Sequence, residues 1–180
     1  MKNWSALLEM EIPRPCFDRP FVCDGFPSAS SVLVIGENPG MPLGIDWWSY
    51  WNAETGFNYD AFLAHYSKKK GKAKGTRRML NRIRENGVKC IETNVYRNEK
   101  SHGAGKGEPN IDLLELLIAN NENLKVVIAH GAPAQKHMGK LTLPEGVKLY
   151  LMRHFTRTRY SEIDQLCDEI RVSDRRTHGT

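Results

Sequence analysis

No segment of this sequence is apolar for long. A membrane-spanning helix needs roughly 18 consecutive apolar residues, and no stretch approaches that length. The N-terminal residues MKNWSALLEMEIPRPC lack the uninterrupted apolar core and the small-residue cleavage site of a signal peptide. The 180 residues are 40% hydrophobic and 26% charged, which is ordinary for one globular domain with a sizeable core. We therefore expect a cytoplasmic protein without a membrane partner.

Cysteine is also scarce, and its spacing matches no known site. The chain has four cysteines, and of these only Cys16 and Cys23 lie near each other. Their C-x6-C spacing fits neither a zinc knuckle nor a redox CxxC pair. In a reducing cytosol four free thiols are expected, with an iron–sulfur or zinc site as the alternative. The sequence predicts no metal and no other cofactor.

Acidic residues are outnumbered by basic ones, and the excess is concentrated in two segments. The formal net charge is +5. Residues 68–78 hold seven Lys and Arg and no acid, and residues 153–159 hold three Arg and a His. Two basic clusters on a small domain are typical of a protein that binds a polyanion. The alternative is a solvated loop and a charged helix face.

Apolar periodicity predicts an α/β protein. Four short apolar segments are typical of strands: 31–35, 89–96, 124–131 and 147–154. Five segments are typical of helices: 57–66, 76–86, 110–121, 132–139 and 159–172. This alternation predicts parallel strands with helices on both faces of the sheet. Asn110 is the expected N-cap of the helix that follows it.

One domain is expected over residues 1–180. It has an extended N-terminal segment, a core and a flexible tail: residues 1–30, 31–172 and 173–180. The N-terminal segment contains a possible short helix at WSALLEM.

The residues that follow each predicted strand are polar. They read GENPG, TNVYRNEKSHG, HGAP and RHFTRTR. In parallel sheets, ligands bind beyond the carboxyl ends of the strands. Glu37 and Asn38 stand side by side at the end of the most hydrophobic strand. The sequence therefore predicts a ligand site at this edge of the sheet.

These strand-end segments resemble the motifs of the uracil-DNA glycosylase superfamily. VLVIGENPG resembles the first motif, a Gly, two variable positions, then Pro and usually Gly. TNVYR resembles the Thr-Asn-x-Val element, and VVIAHGAPA resembles the third-strand segment. LYLMRHF resembles the last motif, in which a His follows the fourth strand. The order and rough spacing agree over residues 31–172.

The resemblance implies a fold and a reaction. The fold is a three-layer α/β/α arrangement with a central four-stranded parallel sheet. The reaction is excision of uracil, or a related deaminated base, from DNA in base excision repair. The enzyme flips the base out of the stack and leaves an abasic site. The branches that carry an iron–sulfur cluster have a cysteine soon after Thr-Asn, and TNVYRNEKSHGAGKG has none. The chain is thus similar to the branches without a cluster.

The resemblance also assigns the chemistry of the site. Asn94 matches the residue that reads the O4 and N3–H edge of the base, since an amide offers both a donor and an acceptor. His154 matches the donor to O2, which gains charge as the glycosidic bond breaks. Gly36 precedes the water-handling pair and is expected, like Asn94, to bind the substrate. In the cluster-bearing branches the Glu of that pair handles the water. In the mismatch-specific and single-strand-selective branches the Asn does so. We favour Asn38 as the residue that positions the water, with Glu37 assisting.

Some assignments have a second interpretation. Glu37 can instead form a salt bridge to Arg153 or Arg157. The stacking aromatic is expected to be Phe57 or Trp51, although an aromatic-rich stretch such as residues 44–57 is more often part of a core. Six residues are expected to contact DNA: Pro39, Gly40, Ser101, Lys106, Arg157 and Arg159.

Two departures from the family pattern bear on the function. The last motif usually continues His-Pro-Ser, but here it reads HFTRTR, with Arg157 as a candidate wedge or phosphate contact. His130 replaces a common Leu and has no assigned role. We expect a monomeric, monofunctional glycosylase that acts on uracil-containing or mismatched DNA. A non-catalytic binder of damaged nucleic acid on the same scaffold is the alternative. A nucleotide-binding hydrolase is weaker still, because the chain lacks Gly-Lys-Ser/Thr and a full GxGxxG.

Overall fold

The four predicted strands lie side by side in one sheet. The structure, a computed structural model, describes residues 2–39, 44–97 and 107–177. Its strands are β1 Phe21–Val22, β2 Val32–Gly36, β3 Trp51–Asn52, β4 Gly56–Phe57, β5 Cys90–Asn94, β6 Val126–His130 and β7 Lys148–Met152. Its α-helices are α1 Trp4–Glu11, α2 Tyr59–Lys70, α3 Gly75–Glu85, α4 Ile111–Asn120, α5 Ala132–Met138 and α6 Tyr160–Thr177. Short 3-10 helices span Pro27–Ala29, Trp47–Tyr50 and Phe155–Arg157.

The main sheet has five strands rather than the predicted four. Its order is β1-β5-β2-β6-β7. β2 pairs in parallel with β5 and β6, and β7 pairs in parallel with β6. The additional strand, β1, lies antiparallel on the outer edge of β5. β1 was not predicted because its two residues are too few to show a period. Next to this strand, the Thr93 hydroxyl donates a hydrogen bond to the Pro20 carbonyl at 2.8 Å.

Alternate residues of β2 enter two hydrophobic cores, as the pleat of a strand requires. Leu33 and Ile35 pack with α1, α4 and the aromatic residues of the first half of the chain. Val32 and Val34 pack on the other face with α3 and α6. The chain is therefore mixed α/β, with helices covering both faces of a mostly parallel sheet.

Two helices run more than two residues past their predicted ends, and the possible N-terminal helix is formed. The helix expected over 57–66 begins at Tyr59, because Phe57 belongs to the β3–β4 hairpin, and it continues to Lys70. The possible helix near the N-terminus is formed as α1, whose Trp4 and Leu8 are buried. At the other end, α6 continues to Thr177, so the helix runs past the expected start of the flexible tail at residue 173.

The four cysteines are buried and free. Burial raises the pKa of Cys16 and of Cys167 to about 11 and that of Cys90 to about 12, so these side chains are thiols at neutral pH. Across the described ranges, no group of three His, Cys, Asp or Glu is arranged to hold a metal ion. In the same part of the chain, no helix combines the length and the apolar character needed to cross a membrane.

Candidate active site

A cavity of about 330 Å³ opens at the carboxyl ends of the central strands. Its volume is in the range of pockets that hold small ligands. Val34 and Glu92 line its wall, so it lies on the face of the sheet that α3 covers. The chain runs from β2 to β5 on one side and places β6 on the other. The cavity is therefore at the point where the strand order reverses, which is where sheets of this kind bind ligands.

Five of the predicted site residues line this cavity: Glu37, Asn38, Pro39, Asn94 and His154. They come from the loop after β2, the end of β5 and the loop after β7. Asn38 is exposed, whereas Glu37, Asn94 and His154 are half-buried. A carboxylate, two amides and an imidazole thus meet at one opening.

Glu37 lines this opening from the loop after β2. Arg153, one of its two expected partners, pairs with Glu162 instead. Within the described residues, Glu37 forms no salt bridge. Its backbone carbonyl accepts a hydrogen bond from the Tyr96 N–H at 3.2 Å, which ties the loop after β2 to the end of β5. The carboxylate is thus left available to a ligand.

Gly36 provides the space that Asn94 occupies. A Cβ on Gly36 would stand 2.9 Å from Asn94 Oδ1 and 2.9 Å from His130 Nε2, closer than such atoms approach. Both side chains therefore reach over the glycine. The backbone carbonyl of Asn94 accepts a hydrogen bond from Asn110 Nδ2 at 3.2 Å. Asn110 makes no side-chain capping bond to α4, because its buried amide holds the end of β5 instead.

His154 has a defined tautomer. The Thr156 backbone N–H donates to its Nδ1 at 3.3 Å, and the Thr156 hydroxyl lies 2.8 Å from the same nitrogen. A backbone N–H can only donate, so Nδ1 is the acceptor and the neutral ring carries its proton on Nε2. Gly131, at φ +86°, lets the ring approach, since a Cβ there would lie 3.2 Å from His154 Cδ2. Nε2–H is therefore the donor that His154 can offer to the cavity.

His130 is a cavity residue that has no role in the family pattern. It is 3% exposed and stacks on Phe155, with ring centroids 4.0 Å apart and an interplanar angle of 10°. Its centroid lies 5.2 Å from that of His154, in an edge-to-face arrangement. Burial and the neighbouring His154 lower the pKa of His130 to about 3, so this imidazole is neutral at physiological pH.

A buried ion network forms the basic wall of the cavity. Arg77 Nη2 lies 2.7 Å from Glu92 Oε2, and Arg84 Nε lies 3.2 Å from Glu92 Oε1. Burial favours the neutral acid, but the two guanidinium groups outweigh it and lower the pKa of Glu92. Arg19 and Lys74 also line the cavity. Burial, followed by the charge of Arg77, lowers the pKa of Arg19 to about 10, so its guanidinium group is still charged at neutral pH.

No model of a known protein family matches this chain, and no curated protein matches it. At the strand ends, the cavity itself offers three groups: the amide of Asn94, the buried neutral imidazole of His130 and the imidazole of His154, whose Nε2–H is the donor. It also offers a carboxylate and an amide on the adjacent loop, with cations on the opposite wall. Such a set can bind a polar heterocycle and hold a water molecule beside it.

The two predicted stacking residues lie away from the cavity. Phe57 is 2% exposed and packs against Trp47, with ring centroids 5.4 Å apart. Trp51 stacks on the same Trp47 at 5.8 Å, and its Nε1 donates to the Ser5 hydroxyl at 3.0 Å. Both rings therefore belong to the aromatic core, and their assignment to base stacking is wrong. The aromatic side chain on the cavity wall is Tyr66, from α2.

Three of the six expected DNA contacts fall within the described ranges. Pro39 is buried beside the cavity, whereas Arg157 and Arg159 are exposed and do not line it. Three further residues lie outside the described ranges: Gly40, Ser101 and Lys106. The roles of these six residues stay predictions.

The sequence did not point to four of the cavity residues: Arg19, Tyr66, Arg77 and Glu92. It placed His130 at a strand end of the predicted site but gave it no role. One signal was present, because Glu92 is the only acid in the strand segment predicted over 89–96, and a buried charge needs a partner. Arg77 was hidden in the basic segment 68–78, where most charges are exposed.

Proposed function

We propose that this protein is a monofunctional DNA glycosylase that excises uracil, or a related deaminated base, on a uracil-DNA glycosylase-like scaffold. The observation that supports this most directly is the meeting of Glu37, Asn38, Asn94 and His154 around one cavity. These residues carry the strand-end motifs that resemble the superfamily. A parallel sheet brings these residues together only if each motif lies at the carboxyl end of its own strand. The motifs lie at the ends of β2, β5 and β7, which run in the same direction.

Base recognition follows from the amide of Asn94. Its Oδ1 accepts from N3–H of uracil while its Nδ2 donates to the neighbouring carbonyl oxygen. A base in a duplex presents neither group to a protein cavity, so the nucleotide must leave the stack first. Tyr66 is the ring on the wall that can pack against the extruded base.

Bond cleavage uses the groups on either side of the base. As the C1′–N1 bond breaks, its electron pair moves into the base and charge gathers on O2. The Nε2–H of His154 donates to that oxygen and stabilises it. Asn38 and Glu37 hold a water whose hydroxyl adds to C1′ and whose proton passes to the carboxylate, and the released base takes a proton from solvent. The products are the free base and an abasic sugar.

The net charge of +5 suits a DNA substrate. Lys74 is exposed at the cavity, next to the basic residues of α2 and α3. Cations placed in this way neutralise phosphates, so affinity for DNA should fall steeply as salt rises.

The test is release of the base from defined oligonucleotides. Oligonucleotides carrying uracil, hypoxanthine, xanthine or a thymine mismatch are incubated with the protein and scored for abasic sites. Glu37→Gln and Asn38→Ala should each slow uracil release. The substitution at the residue that contributes more to positioning the water should slow it by about a hundredfold or more. Glu54→Gln, an exposed substitution in the β3–β4 turn, is the matched control. If both site variants stay fully active, the assignment of the water site is wrong.

A non-catalytic binder is the second candidate, and one observation favours it. The segment after His154, where the family has His-Pro-Ser, is a short 3-10 helix from Phe155 to Arg157. Arg157, the candidate wedge, is exposed and does not line the cavity. In this 3-10 helix, therefore, the candidate wedge does not stand beside the cavity. Tight binding of uracil-containing DNA with no abasic product would establish the binder and exclude the enzyme.

A further inference from the structure

We propose that His130 and Asn94 act as a pair that reads a lactam, an N–H beside a carbonyl, on the extruded base. This inference rests on the proposed function and deepens it, because it names the class of base that the site admits. His130 is not part of the family pattern, and its position follows from the packing at the ends of β2, β5 and β6.

The two reading atoms face the same small volume. In the sheet, Gly36 pairs with Asn94 on one side, and β6, which ends at His130, lies on the other. Because Gly36 has no side chain, Asn94 Oδ1 and His130 Nε2 both reach to 2.9 Å from the point where its Cβ would stand. An acceptor and a ring nitrogen thus both border the space over Gly36, on the face of the sheet that lines the cavity.

The His130 ring is held in one orientation. Its face stacks on Phe155 and its edge meets His154, which leaves it little freedom to rotate. Nε2 lies on the side of Gly36 and Asn94, while Nδ1 is fully buried without a hydrogen-bond partner in the described part of the chain.

The buried Nδ1 decides which nitrogen carries the proton. An N–H left unpaired in a protein interior is rarer and more costly than an unpaired acceptor. The neutral ring therefore keeps its lone pair at Nδ1 and its proton at Nε2. His130 is a donor toward the cavity, and it stands next to the acceptor of Asn94.

A donor beside an acceptor is the complement of a lactam. Uracil, hypoxanthine and xanthine each present a ring N–H next to a carbonyl. Cytosine and adenine present the reverse, a ring acceptor next to an amino group. The Asn94 amide alone can rotate to suit either pattern. His130 cannot, because a proton moved to Nδ1 would be buried without a partner.

The experiment separates the pair from the excision chemistry. Single-stranded oligonucleotides carry 2′-fluoro-2′-deoxyuridine or 2′-fluoro-2′-deoxycytidine, in which the fluorine slows loss of the base. Binding is measured by fluorescence anisotropy for the wild type, His130→Phe and His130→Gln. Phe keeps the ring that stacks on Phe155 without an N–H, and Gln keeps an N–H donor. Release of uracil and cytosine from the unfluorinated oligonucleotides is scored in parallel.

We expect the wild type to prefer uracil over cytosine, and His130→Phe to lose about tenfold to a hundredfold of that preference. His130→Gln should retain more of it, while affinity for an oligonucleotide with neither base stays equal in all three proteins. A His130→Phe protein that keeps the wild-type preference overturns the reading pair alone. A preference in binding without any abasic product supports the pair and overturns the proposed excision. A wild type without preference in either assay overturns both.

Discussion

The buried His130 should make the stability of this protein depend on pH in a way that a single substitution removes. The pKa of His130 is lowered from 6.5 to about 3 by burial and by His154, and the side chain is 3% exposed. The unfolded chain therefore binds a proton as the pH falls below about 6.5, while the folded chain does not. Stability due to this group is fully present above that pH and is lost progressively as the pH falls toward 3.

The magnitude follows from the two pKa values. Between about pH 7.5 and about pH 5, protonation of the unfolded state lowers the free energy of unfolding by about 2 kcal/mol. The result depends little on the folded-state value, because His130 of the folded protein is unprotonated at both pH values. His130→Phe keeps the ring on Phe155 but removes the titrating group.

The assay is urea unfolding of the wild type and of His130→Phe at the two pH values. The wild type should lose about 2 kcal/mol more than the variant on acidification, with equal m-values. His65→Phe is the control for loss of an exposed histidine; this residue lies on α2, with its Nδ1 3.0 Å from the Tyr50 hydroxyl. If the wild type and His130→Phe lose the same stability, His130 is not held neutral by burial, and the tautomer assigned to it loses its support.

Four further predictions concern the cavity and its walls. Gly36→Ala should reduce uracil release by about a hundredfold or more in the abasic-site assay, since its Cβ fills the space over which the reading atoms meet. Glu92→Gln should lower the free energy of unfolding by about 3–5 kcal/mol in urea, because it leaves the buried Arg77 and the half-buried Arg84 with a neutral partner. Phe57→Ala should cost about 3–5 kcal/mol of stability without altering the uracil-to-cytosine ratio, whereas Tyr66→Ala should slow release by about tenfold with a smaller loss of stability. Thr156→Val should slow uracil release by about tenfold, since it removes the hydroxyl that lies next to Nδ1 of His154.

Each of these has a result that would contradict it. Full activity of Gly36→Ala would mean that the base does not bind over this glycine. A stable Glu92→Gln protein would mean that the ion network is solvated. Equal effects of the two aromatic substitutions on release would remove the distinction between core and cavity. An unchanged rate for Thr156→Val would show that the backbone N–H alone sets the tautomer.

The sequence by itself determined the central sheet. The β-branched run at 31–35 and its counterparts in β5 and β6 are patterns that a chain can satisfy locally, because a strand buried on both faces needs apolar residues at successive positions. The fourth apolar segment forms β7 at the edge of the sheet, where Leu149 and Leu151 are exposed. The order of strands and helices then placed Glu37, Asn38, Asn94 and His154 at one edge. That step needs only the direction of each strand in a parallel sheet.

Only the tertiary structure decided which rings and charges face the cavity. Phe57 and Tyr66 are both aromatic residues near the predicted α2 helix, yet one is a core residue and the other lines the wall. The role of His130 depends on a glycine in the neighbouring strand and on a phenylalanine beyond β7. Such contacts join residues far apart in the chain, and their energies come from packing and desolvation, which no local period records.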